Sequence, residues 1–138
     1  EVGIVFRGFV VVSHEFREVP IQEDTKTNKD LRGAFISAIS SFIETAFHDT
    51  SLEYLESGDI LFIFKISEII PKHGNNMKEP LILYGLLEKR RKTQKIVDKF
   101  LEKSNPVLLQ FIHEYNGKDL SDLNKFEGFG EKIRAFFD

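Results

Sequence analysis

The chain has 138 residues and a mass of 16.0 kDa, the size of one domain, so a single domain over 1–138 is expected. It has no cysteine, which excludes disulfides, thiolate metal sites and cysteine nucleophiles and fits a reducing compartment. With 19 Lys+Arg against 22 Asp+Glu the net charge is −3, so no global field draws the chain onto nucleic acid or an acidic membrane.

Hydrophobic residues make up 41% and charged residues 30%, an ordinary globular balance. Fourteen Phe with one Met and no Trp indicate an aromatic core. No apolar run approaches the ~18 residues of a membrane span. The expected location is cytoplasmic, at most peripheral on a membrane surface. The charge is uneven: Glu1 to Ile70 carry 6 Lys+Arg and 12 Asp+Glu, whereas Pro71 to Asp138 carry 13 and 10.

In chain order, Gly3–Val12 is β-branched and aromatic and reads as one central strand, buried on both faces. Phe16–Ile21 alternates and holds Pro20, which belongs on an edge strand. After a polar loop, Leu31, Phe35, Ala38, Ile39, Phe42, Ile43 and Ala46 recur at helical spacing, predicting an amphipathic helix over Lys29–His48. Leu52–Glu56 reads as a short charged strand, Ser57-Gly58-Asp59 as a turn and Ile60–Ile66 as a strong strand. The segment Ile69–Pro80, with two prolines, a glycine and an Asn pair, reads as a loop, and Leu81–Leu87 as a buried strand.

Lys92–Glu114 has helical periodicity interrupted by Pro106, so the helix either kinks there or ends near Ser104 and restarts. Asp119–Phe137 reads as a less regular helical segment broken near Gly128 and Gly130. The expected core includes Val5, Phe9, Val11, Ile63, Ile82, Tyr84, Phe100 and Phe111, joined by Phe35, Ile39 and Phe42. The element order is β-β-α-β-β-β-α, with helical additions. Hairpins can make every strand connection but one, so the fold class is α+β, one antiparallel sheet of five strands with helices packed on it.

This order, with the opening GIVFRGFVVVSHEF, the segment LRGAFISAISSFIETAF, the run SLEYLESGDILFIFKI…LILYGLL and the closing KIVDKFLEKSNPVLLQFIHEY, resembles the longin domain and its roadblock relatives. Ser37-Ala38-Ile39-Ser40-Ser41-Phe42 and the Phe111…Tyr115 pair match patterns common in prokaryotic members. These are apolar fold patterns, not chemical motifs. The resemblance implies strand order 2-1-5-4-3, with FREVPI and LEYLE on the edges. It also implies a non-catalytic adaptor of membrane traffic that binds small GTPases, often as a homodimer or as a heterodimer with another such domain.

The residues themselves carry no catalytic constellation. His14, His48, His73 and His113 have no i,i+4 mate and no carboxylate at metal-site spacing. Gly128-Phe129-Gly130 runs into Glu131 without the spacing of a phosphate loop. Ser37, Ser40 and Ser41 lack a glycine-flanked elbow. Glu53 and Glu56, three apart on a strand, point to opposite faces and make no acid/base pair. No metal, no cofactor and no enzyme activity are expected.

The strongest polar signal is Lys89-Arg90-Arg91-Lys92, continued by Lys95 and Lys99. It reads as a solvated turn, as a docking patch for an acidic partner, or as a contact for lipid headgroups. Nucleic acid is disfavoured, because no aromatics interleave the cations. Positive charge opposes the dipole at a helix start, which argues against neutral filler. A second surface for dimer contact is expected from Ile36, Ile43, Phe47, Leu52 and Tyr54. The function expected is a protein-interaction module for a small GTPase or a trafficking-type complex. The alternative is a small-molecule sensor of the PAS, GAF or profilin type.

Overall fold

The computed structural model describes residues 1–16, 54–57, 60–72, 77–121 and 123–137. The predicted helix Lys29–His48 and its Phe35, Ile39 and Phe42 lie outside the described residues, as do residues 17–21 of the predicted edge strand.

The class is α+β. The strands are β1 (Val2–Phe6), β2 (Phe9–His14), β3 (Tyr54–Ser57), β4 (Ile60–Ile69) and β5 (Glu79–Glu88). All pairings are antiparallel, in the order β2-β1-β5-β4-β3. Helix α1 spans Thr93–Tyr115, a 3-10 turn spans Leu123–Phe126, and α2 spans Phe129–Phe137.

The opening apolar run is two strands, not one. Arg7 and Gly8 sit at φ 52 and φ 80 and turn the chain back after Phe6. Two consecutive left-handed residues make the hairpin turn whose twist suits a strand pair. The edge strand is therefore Phe9–His14, and Phe16 lies past it in a bend. Phe9, expected in the core, is 50% exposed for the same reason, because it follows the turn at the sheet end. Ile4 pairs with Val12 and Val5 with Val10, leaving Val11 unpaired as a bulge in β2. The bulge puts Val11 and Val12 together against the helix-side core and bends the edge.

The sheet buries two faces. On the helix side, Ile4, Leu61, Ile63 and Leu83 meet Val97, Phe100, Leu108 and Phe111 of α1 and Phe129 and Ile133 of α2. On the other side, Val5, Phe64, Ile82, Tyr84 and Leu86 form a second buried cluster. Strands buried on both faces explain the near-continuous apolar runs of β1 and β5.

The segment Ile69–Pro80 is shorter as a loop than its composition implies. Ile69 pairs with Glu79 and Glu68 with Pro80. Pro80 is tolerated in this inner strand because β1 ends its pairing at Leu81, so the missing N–H faces no neighbour there. Residues 73–76 lie outside the described residues.

Helix α1 runs unbroken through Pro106, whose side chain is exposed. The carbonyl that Pro106 cannot bond belongs to Glu102, one turn back and exposed, so the missing bond lies on the solvent side. The buried Ser104 hydroxyl donates to the Phe100 carbonyl at 2.7 Å, one turn back. The helix end is tied to the sheet: Ile70 N–H donates to Asn116 Oδ1 at 2.9 Å, and Gly117 N–H to the Ile70 carbonyl at 2.7 Å. Gly117 is left-handed at φ 76, the conformation that ends helices.

Helix α2 packs against β2 and α1. Phe126 stacks on Phe111 at 5.6 Å, and Phe129 meets Phe111 edge-on at 5.1 Å. The Tyr115 hydroxyl donates to the Lys125 carbonyl at 3.0 Å, and burial holds its pKa above the usual tyrosine value. Lys132 and Glu114 pair across the two helices.

Candidate interaction surface

The basic turn lies where β5 runs into α1. Lys89, Arg90, Arg91 and Lys92 are all exposed, and Lys95 and Lys99 follow on the outer side of α1. Two of the six are engaged by carboxylates. Lys89 Nζ is 2.8 Å from Glu56 Oε2, and Arg90 is 3.8 Å from Glu88. Among the described residues, no carboxylate pairs with Arg91, Lys92, Lys95 or Lys99.

The sequence places Glu56 on a short charged strand with no acid/base role beside Glu53, and Glu53 lies outside the described residues. Glu56 is on β3, opposite Leu61 of β4, and Leu61 is opposite Leu87 of β5. Lys89, two residues past Leu87, reaches back across β4 to it. The Lys89 hydrogen bond, with the Lys89 charge and a smaller contribution from the Thr93 hydroxyl, holds the Glu56 carboxyl below its usual range against desolvation.

This contact bears on how α1 begins. Its N-cap, Lys92, makes no side-chain capping bond, and its first turn holds no acidic residue. Four N–H groups and the positive dipole end therefore lack a local partner. Glu56 brings a carboxylate to that end from a neighbouring strand. The spacing of β3 residues and turn residues in the sequence carries no signal for it, since the pair is joined only through strand pairing.

The sheet thus brings the basic turn and the β3 edge together. Ser57 pairs with Ile60, and Ile60 with Glu88, so both sit at one end of the sheet. Of the dimer-surface residues, Ile36, Ile43, Phe47 and Leu52 lie outside the described residues. Tyr54 is half-buried and packed against the helix-side core.

At the opposite end, Arg7 grips Glu79 through two hydrogen bonds, Nε to Oε1 at 2.9 Å and a terminal nitrogen to Oε2 at 2.7 Å. The guanidinium lowers the Glu79 pKa, chiefly by hydrogen bonding, and lies 4.8 Å over the Phe6 ring. This fork holds the hairpin turn to the start of β5.

Among the described residues, no group of three or more His, Asp or Glu is placed to hold a metal ion. None of the described helices is long and apolar enough to cross a membrane. No protein-family model matches the chain, and comparisons with curated proteins and with solved structures return no match.

Proposed function

We propose that the chain is a non-catalytic protein-interaction module, a longin-like adaptor that binds a small GTPase or a trafficking-type complex. The observation that carries the reading is the exposed turn Lys89–Lys92, set beside the β3 edge at one end of the sheet. Two supports join it: the antiparallel sheet order β2-β1-β5-β4-β3 with helices after the last strand, and the resemblance in the sequence patterns.

In this reading Arg90 and Arg91 steer an acidic partner surface toward the sheet end. Opposite charge of this kind mainly raises the association rate. Arg suits such a contact, because its fork makes two bonds to one carboxylate. The β3 edge, which pairs only with β4 among the described residues, offers main-chain groups beside it. A homodimer, or a heterodimer with a related domain, is part of the same proposal.

Replacing Arg90 and Arg91 by Glu tests the reading. The variant should bind a cognate GTPase with a slower association rate and a weaker salt dependence, at unchanged thermal stability. A variant that associates as fast as wild type would remove the turn from the contact. A small molecule that copurifies with the protein, in the absence of any GTPase binding, would favour a sensor.

A further inference from the structure

Helix α1 carries a second charged feature beyond the turn. Lys92 precedes its first residue, and Lys95, Lys99 and Lys103 follow at steps of three and four. At about 100° per residue, the four lie on one flank, within about 80° of each other, and span ~16 Å of helix. Asp98 and Glu102 border the flank on one side, Glu102 about 20° from Lys95 in projection, and Asp98 is bonded by Gln94 Nε2 at 2.9 Å. Among the described residues, none of the four lysines has a carboxylate partner.

We propose that this lysine flank is a contact for an anionic phospholipid membrane surface. The proposal goes beyond the adaptor reading and does not depend on it. Charge complementarity alone fits any acidic surface; the residue types decide between them. Protein interfaces deplete Lys and centre on aromatic, Met or Arg anchors in packed pockets. The flank is lysine throughout. The exposed large apolar side chains among the described residues are Phe9, Met77, Leu109 and Phe136, and none belongs to the flank; Leu109, on α1, falls about 40° outside it in projection.

Lysine is a compact charge on a flexible stem, which reads charge density and not shape. A bilayer carrying phosphatidylserine presents that kind of target, and its pull on each lysine is significant only near the surface. Four lysines in line let the side of α1 lie along it. Attraction by charge without insertion is reversible and falls with salt.

The test is co-sedimentation of the full chain with vesicles of phosphatidylcholine alone, or of phosphatidylcholine with phosphatidylserine, at low and high salt. Binding is expected only to the phosphatidylserine vesicles, with release at high salt. Lys95→Glu, Lys99→Glu and Lys103→Glu together should weaken it by on the order of a hundredfold, with an unchanged circular dichroism melt. The charge-matched control, Lys72→Glu, Lys78→Glu and Lys118→Glu together, alters three exposed lysines at the far end of the sheet and should retain most of the binding. No binding to phosphatidylserine vesicles at low salt would overturn the proposal. Equal loss in both variants would overturn it too, as an effect of net charge. If the triple variant lost GTPase binding but kept vesicle binding, the flank would belong to a protein partner.

Discussion

Gly3 and Tyr84 are directly paired across β1 and β5, and the Tyr84 ring occupies the space that a side chain at Gly3 would need. A Cβ on Gly3 would lie 2.6 Å from Tyr84 Oη and 2.7 Å from ring carbons. The hydroxyl donates to Glu1 Oε2 at 2.9 Å, so the ring is held at its far end. Gly3→Ala should therefore destabilise by about 1–3 kcal/mol in urea denaturation. Combined with Tyr84→Leu, it should cost less than the sum of the two single changes. Strict additivity would mean that the ring does not fill that space.

The same relation holds on the other sheet face, where the Phe100 ring of α1 rests on the backbone of Gly85. Phe100 is 5% exposed and also meets Phe137 at 5.3 Å. Phe100→Ala should cost about 3–5 kcal/mol. A loss below about 1 kcal/mol would mean that α1 does not dock at Gly85.

Gly8 isolates a backbone effect. A Cβ there would meet nothing within 4 Å, yet its φ is +80. Gly8→Ala should cost about 1–2 kcal/mol through the left-handed backbone alone. Gly128, which also has open space and no such φ, is the control and should tolerate Ala with little change. Equal effects at both positions would argue against the Arg7–Gly8 turn.

Arg7–Gly8 also shows where the sequence could be read and where it could not. The apolar runs of β1, β4 and β5 are plain, because both sheet faces are buried. The two-residue turn is hidden inside one such run, since Arg-Gly is a weaker turn signal than Asn-Gly. Reading through it displaced the edge strand to Phe16–Ile21 and put Phe9 in the core. The α1 periodicity was legible despite Pro106, whose missing bond faces solvent. The basic turn was legible as a charge run. Its tie to Glu56 was not, because strand pairing alone brings positions 56 and 89 together.

The Arg7–Glu79 fork has a pH signature. The guanidinium, chiefly through its hydrogen bonds, lowers the folded-state pKa of Glu79 below the usual glutamate value. Its stabilising contribution is therefore complete above the unfolded value and is lost as pH falls through the folded one. Glu79→Gln should lower stability at neutral pH, and the gap to wild type should close as the medium is acidified below about pH 4.5. The group is partly exposed, so the effect is modest and screened by salt. A gap that stays constant across the acid range in thermal melts would contradict this.

The central proposal is that this chain is a protein-interaction module for a small GTPase or a trafficking-type complex. Interferometry of the immobilised chain against a panel of small GTPases, each loaded with GTP or GDP, tests it most directly. The account predicts saturable binding to at least one GTPase, with an association rate that falls as salt rises and falls again when Arg90 and Arg91 are reversed to Glu. No binding to any member in either nucleotide state, with a small molecule found in the purified protein, would contradict it.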